Sequence, residues 1–399
     1  MMFRSRRLSL AVSTLALALT ASAAAPVRAA SLEVVIAHVE REAEDRGFEA
    51  ETPPLPPPGG LDGSRLGVAD ANASGAFRDQ AYRLEEKVVS VDGDFAAAVK
   101  AVLDQGIRYL VVRAGPQDTL VAADLAAAKG ALVFNAGATD TRLREADCRL
   151  DLFHTAPSRA MLADGLMEYL TKRRWSRLLL VKGTLPEDDL LAEAYRRSIA
   201  KFGLKIVGER TWEDPTDGRT AAQTIPVLTQ GADYDAVVIA DEGGDFGRAF
   251  PYATWLPRPV VGSHGLIASA WNDRLRGWGA AQIQDRFVRG YHRPMEAADY
   301  AAWIAVRAIA EGVTRAKSVD PAAVARALVA PDYALGGFKG AKATFRRWDR
   351  QMRQPIALTH GEGVTAMAPI EGFDHRVTEL DTLGIDEPET TCPYPSPKQ

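Results

Sequence analysis

Cysteine is scarce in this 399-residue chain. There are two, Cys148 and Cys392, and two thiols alone cannot build a zinc site. The marks of common catalytic machinery are also missing. No G-x-S-x-G elbow, H-E-x-x-H pair or P-loop occurs, and no G-x-G-x-x-G follows the first strand-like segment. These absences leave no catalytic set to name and point away from an enzyme. After Ala25 no apolar run is long enough to span a bilayer. There is no basic excess either, since the formal charge is −4. Nucleic-acid phosphates call for a basic face, so that class of partner is excluded.

What is present begins with an export signature. Met1–Arg7 holds three arginines and no acid, Leu8–Ala25 is apolar, and Val27-Arg28-Ala29 is a small-residue cleavage site. Residues 1–29 therefore read as a signal peptide, and the mature protein is expected in the periplasm. Losing Arg4, Arg6, Arg7 and Arg28 takes the charge from −4 to about −8. Some 370 residues remain, which suits two domains better than one. Apolar content of 47% and charged content of 25% are those of an ordinary globular protein. In an oxidising compartment Cys148 and Cys392 read as one disulfide, with two unpaired thiols as the alternative.

Short β-rich runs alternate with helical patterns. Strands are expected at Glu33–Val39, Lys87–Val91, Arg108–Arg113, Ala131–Asn135, Arg177–Val181, Leu204–Glu209, Tyr234–Ala240 and Arg258–Gly262. Leu178-Leu179-Leu180-Val181 and Val237-Val238-Ile239 are nearly continuous apolar runs, as in parallel strands buried on both faces. Between them Phe95–Gln105, Thr119–Lys129, Ala160–Arg173, Leu190–Phe202 and Thr220–Thr229 carry apolar residues at helical spacing. Gly106, Gly130, Gly203 and Gly231 sit just past four of these helices. The alternation predicts an α/β fold with parallel sheets covered by helices. Further on, Ala297–Gly312 reads as a long Ala-rich helix, Asp320-Pro321 opens another, and Pro355–Leu358 and Val364–Pro369 return as strands. Thr52–Gly60, with seven Pro or Gly in nine residues, reads as a stiff loop.

Three segments carry a family resemblance. Gly63–Asn72 with Ser74-Gly75, Phe153-His154-Thr155-Ala156-Pro157-Ser158, and Tyr234-Asp235-Ala236-Val237-Val238-Ile239 resemble type I periplasmic binding proteins of the leucine/isoleucine/valine-binding kind. A narrower likeness lies in Ala240-Asp241-Glu242, Arg258–Gly262, Phe338-Lys339-Gly340, Arg353–Ile356 and Leu380–Gly384. These resemble ABC-transporter binding proteins that accompany PQQ-dependent alcohol dehydrogenase systems. The resemblance implies two doubly wound parallel-sheet lobes joined by three crossings, with the ligand in the cleft between them. It implies residues 30–154 plus 265–335 for one lobe, 155–264 plus 336–388 for the other, and 389–399 as a C-terminal tail. A periplasmic substrate-binding component follows, monomeric, served by an inner-membrane ABC permease and needing no cofactor. A metal or cofactor carrier without a transport role is the alternative.

Candidate ligand contacts are sought at strand carboxyl ends. Gly115–Thr119 offers backbone N–H groups, Gln117 and the Thr119 hydroxyl, or else only a helix cap. At Gly137-Ala138-Thr139 relatives often have Ser-Ala-Thr, so Ala138 and Thr139 carry over as contacts while a serine hydroxyl is lost. In the loop holding Thr184 relatives commonly place a stacking tyrosine, and this chain has none, which weakens the case for an α-amino-acid ligand. Asp241 and Glu242 read as an acidic clamp for a ligand cation, or as a solvated loop in which Asp241 caps a helix. Ser263 and His264 lie at the expected second crossing. His38 and Glu40 share a strand face, but two ligands make no metal site. Trp255, Trp271 and Trp278 line the cleft or staple helices, and Trp255 has the weakest claim on the core.

Overall fold

The computed structural model describes residues 32–43, 59–213, 220–361 and 363–393. The signal segment, most of the Thr52–Gly60 loop and Tyr394–Gln399 lie outside them. The first sheet comprises β1 (Leu32–Arg41), β2 (Gln80–Val89), β3 (Tyr109–Arg113), β4 (Leu132–Asn135) and β5 (Leu152–His154). All five are parallel, in the order β2-β1-β3-β4-β5. The second sheet comprises β6 (Arg177–Lys182), β7 (Lys205–Thr211), β8 (Ala236–Ala240), β9 (Val260–Gly262) and β10 (Leu266–Ser269). It is completed after a small antiparallel sheet of β11 (Leu335–Gly336), β12 (Lys342–Phe345) and β13 (Met352–Arg353). Antiparallel β14 (Ile356–His360) and β15 (Gly363–Ala368) then extend its edge, giving β15-β14-β10-β9-β8-β6-β7.

Helices α1 (Leu61–Gly75), α2 (Phe95–Asp104) and α3 (Pro116–Ala127) flank the first sheet, and α4 (Arg159–Arg173), α5 (Pro186–Lys201), α6 (Ala221–Thr229) and α7 (Phe250–Ala253) the second. The chain then returns through α8 (Ala280–Tyr291), α9 (Ala297–Ala316) and α10 (Pro321–Leu328), which pack into the first lobe's core. Helix α1 lies so close on α9 that a Cβ at Gly63 would sit 2.0 Å from the Asp299 carbonyl oxygen. Only glycine permits that approach.

The sheets match the expected α/β class, and the differences are local. β2 is an edge strand whose outward charges pair across the surface, Arg83 with Glu33 and Glu86 with Arg65. Those charges hid all but its last residues from pattern reading. The family resemblance puts residues 265–335 in the first lobe as one block, but β10 pairs with β9 and β14 in the second sheet, so the crossing follows Ser269. The resemblance puts residues 336–388 in the second lobe, yet Ala343, Phe345 and Met352 pack in the first core.

Three crossings connect the lobes, and one pair of side chains touches all of them. Lys339 Nζ donates to Ala270 O at 2.8 Å and to Gln354 Oε1 at 2.6 Å, and Gln354 Nε2 donates to Thr155 O at 2.7 Å. A further strap runs at the C-terminus. Leu380 is buried and Leu383 packs in the second core, and Gly384 N donates to Asp164 Oδ2 at 2.7 Å. The chain then reaches the first lobe, where Thr390 and Thr391 donate to the Glu145 carboxylate and Cys392 is disulfide-bonded to Cys148. So the end of the chain read as a tail is tied down as far as Cys392.

Glu168 on α4 is fully buried beside this strap, 2.6 Å from Thr382 Oγ1, with Oε2 accepting from Ile370 N at 2.8 Å. Burial pushes its pKa up to about 7 from an ordinary 4.5, against the opposing pull of those two bonds. The unfolded chain releases the proton near pH 4.5, whereas the folded protein holds it to about 7. Stability should therefore fall as pH rises through that window, by on the order of 3 kcal/mol, and then level off. Glu168→Gln keeps one donor and one acceptor in place. It should flatten this part of the pH profile and make the protein more stable than wild type at pH 8. Urea denaturation at pH 5 and pH 8 reads this, and an unchanged slope would count against it.

Candidate functional site

In an open parallel sheet, ligands sit beyond the strands' carboxyl ends where the strand order reverses. In the first sheet that point lies between β1 and β3, and in the second between β6 and β8. Two adjoining cavities open there, of about 490 and about 300 Å³. Thr139, Leu162 and Ala268 line both.

The larger cavity lies against the first lobe. Arg41 ends β1, Arg113 ends β3, and both reach its wall. The rest is mostly small and apolar, including Ala270, Ala301, Pro157 and Leu162. Arg41 Nε donates to Asp118 and its NH1 to the Ser90, Val91 and Gly93 carbonyls. Arg113 NH1 donates to Glu40 Oε1 at 3.0 Å.

The smaller cavity lies against the second lobe, with Asp241, Glu242, Ser263, His264 and Arg159 in its wall. Arg159 opens α4, whose N-cap is Ser158, the Oγ accepting from Met161 N at 3.2 Å. Its Nε donates to Glu242 Oε2 at 2.8 Å and its NH1 lies 3.1 Å from Asp140 Oδ1. The Thr139 hydroxyl reaches across from the first lobe to Glu242 Oε1 at 3.5 Å.

The structure separates the expected contacts into two groups. Thr139, Glu242, Ser263 and His264 meet at the cleft, but Asp241 turns inward and is 2% exposed. Its carboxylate accepts the Asp245, Phe246 and Gly247 N–H groups and the His264 Nε2 bond at 2.9 Å. Burial opposes its ionisation, yet the His264 bond and the three N–H groups outweigh it and hold its pKa below the usual carboxylate range. Asp241 thus shapes the loop, and Ser263 Oγ accepts the Asp241 N–H in turn. Glu242 is already engaged by Arg159.

Gln117, Thr119, Ala138 and Thr184 are not in either wall. Gln117 and Thr184 are exposed elsewhere. Thr119 spends its hydroxyl on Gly115 O at 2.9 Å, the bond of a helical threonine. The Ala138 N–H donates to Asn135 Oδ1 and its carbonyl accepts from Asn135 Nδ2 and Arg144, so that loop's polar groups satisfy one another. Of the tryptophans, Trp271 is buried and stacked on Tyr300, while Trp255 and Trp278 are exposed and none lines the cleft. His38 and Glu40 form an internal hydrogen-bonded pair at 2.9 Å. Among the described residues no group of three or more His, Cys, Asp or Glu could hold a metal ion.

The comparisons with known proteins agree with this geometry. A family model described as "Periplasmic binding protein" matches residues 57–254. No curated protein matches the chain. Among solved structures, the leucine-, isoleucine-, valine-, threonine- and alanine-binding protein of Brucella ovis, in its closed conformation, is 15% identical with a TM-score of 0.66. That match covers 83% of this chain and 90% of the other. A branched-chain amino acid ABC transporter periplasmic ligand-binding protein from Burkholderia xenovorans is 14% identical with a TM-score of 0.68, covering 90% and 99%. An ABC transporter substrate-binding protein from Desulfitobacterium hafniense, in complex with Leu, is 18% identical with a TM-score of 0.65, covering 83% and 99%. This chain therefore has the fold of the type I periplasmic binding proteins. No helix among its described residues is long and apolar enough to cross a membrane.

Proposed function

We propose that the protein is the exported, periplasmic substrate-binding component of an ABC transporter, closing its lobes around a small polar ligand and presenting it, as a monomer, to an inner-membrane permease. The observation that carries this reading is the paired cavity at the carboxyl ends of both parallel sheets, with wall residues from both lobes. Solved neighbours described as ABC transporter substrate- or ligand-binding proteins, one in complex with Leu and one for branched-chain amino acids, support it. The crossings after His154, after Ser269 and after Arg353 would serve as the hinge. The short motifs Ala240-Asp241-Glu242 and Leu380–Gly384 support a link to PQQ-dependent alcohol oxidation.

Native mass spectrometry of freshly purified mature protein should find a small molecule bound. Small-angle scattering should give a more compact particle with that molecule than after its removal. A mature chain that stays in the cytoplasm, or whose scattering is the same with and without its co-purified molecule, would overturn the receptor reading.

A further inference from the structure

The charges in the cleft are arranged unequally, and the arrangement selects a ligand. Arg41 and Arg113 reach the wall of the larger cavity, whereas their carboxylate partners Asp118 and Glu40 do not, so two guanidinium groups there face one carboxylate, that of Glu42. Glu40 cannot swing forward. Its Oε2 is held by His38 Nε2 at 2.9 Å, and His38 Nδ1 is held by Ser64 Oγ at 2.8 Å. His38 and Ser64 are fully buried. The other oxygen, Oε1, is on Arg113. This relay fixes Arg113 from behind through NH1, and Arg113 lines the cavity with further N–H donors of its guanidinium to offer.

The opposite wall already carries a cation of its own. Asp241 serves its own loop, and Glu242 is bound by Arg159, whose side chain is 7% exposed. A ligand ammonium on that wall would meet Glu242 only at Oε1, beside a guanidinium of like charge, and to take Oε2 it would have to displace Arg159 and leave it buried with Asp140 alone. Breaking a buried pair in this way is strongly unfavourable. The protein supplies its own cation where an amino-acid ligand would bring one.

We infer that the ligand is a small carboxylate without a free amine. Its carboxylate is received by Arg113 with Arg41 beside it, and its apolar body lies along Ala270, Ala301, Pro157 and Leu162. This rests on the receptor reading above and names the ligand class for that site.

Matched pairs test it by titration calorimetry on the mature protein freed of bound molecules. The pairs are 4-methylpentanoate with leucine and 3-phenylpropanoate with phenylalanine, and 4-methylpentan-1-ol is the uncharged control. At least one acid should bind, at least tenfold tighter than its amino acid, and the alcohol should not bind. Arg113→Gln should weaken that acid at least thirtyfold, and Arg159→Met should narrow the gap between acid and amino acid. Should Arg159→Met fail to fold, Arg113→Gln and the wild-type pairs decide alone. Tighter binding of an amino acid, no binding of either acid, or full affinity in a folded Arg113→Gln protein would each overturn the inference. A co-purified amine or neutral molecule that still compacts the particle would overturn the carboxylate class and leave the receptor reading standing.

Discussion

Replacing both Cys148 and Cys392 by serine should lower the stability of the mature protein by up to about 5 kcal/mol. The disulfide closes a loop across 244 positions of sequence, so it removes a large share of the unfolded chain's freedom. It also anchors the strap that leaves the second core at Leu383 and ends on the first lobe. The bonds that Thr390 and Thr391 make to Glu145 would remain, so the strap should loosen without detaching at once. Guanidinium denaturation of wild type and the double variant, both without reductant, gives the difference. A loss below about 1 kcal/mol would mean that the unfolded chain is already compact, so that the crosslink removes little from it.

The second large effect is expected at Arg346. It is 1% exposed, and its guanidinium, beside buried Asp349, hydrogen-bonds one short stretch of chain. Nε donates to Asp381 Oδ1 at 2.9 Å, NH2 to Leu383 O at 2.6 Å, and NH1 to Ile385 O at 3.1 Å. Arg346→Met should cost about 3–5 kcal/mol, because it strands a buried carboxylate and several carbonyls together. Arg353 Nε also reaches Asp381 Oδ1, at 2.7 Å, which favours the lower end of that range. Both predicted changes act on one strap, so their costs should not add. A triple variant whose loss equals the sum of the separate losses would show that the anchors work independently.

Much of the fold was legible in the sequence because parallel strands buried on both faces are written as unbroken apolar runs. β8, with all five residues buried, is such a case, and so is the middle of β6. β2 carries its charges on an exposed edge, and its alternation dissolved. β10 was misassigned because pairing across a sheet is not a local property of four residues. At the site, the rule that ligands lie beyond strand ends located Thr139, Glu242, Ser263 and His264. It missed Arg41 and Arg113, the last residues of β1 and β3, which stand on the strands rather than in the loops beyond them. The available signal was a cation at the end of each strand flanking the switch point. Arg159 and the inward turn of Asp241 had no such signal. Each is defined by partners brought together from distant parts of the chain.

Lys339 and Gln354 act on the three crossings as a single pin acts on three leaves of a door. Lys339 is deeply buried, and burial drives its pKa well down. If the lobes close as proposed, crossings fastened at one point would favour a swing, because sliding or twisting would tear Nζ from Ala270 or Gln354 from Thr155. Displacement in a swing grows with distance from the pin. Ala270 belongs both to the pin and to the wall of the larger cavity. In such a swing the first-lobe wall of that cavity would lie at the still end of the arc, a seat shaped before anything arrives. On the proposed receptor function, the rim carrying Glu242 would do the travelling, and its width of swing would set how large a molecule can enter.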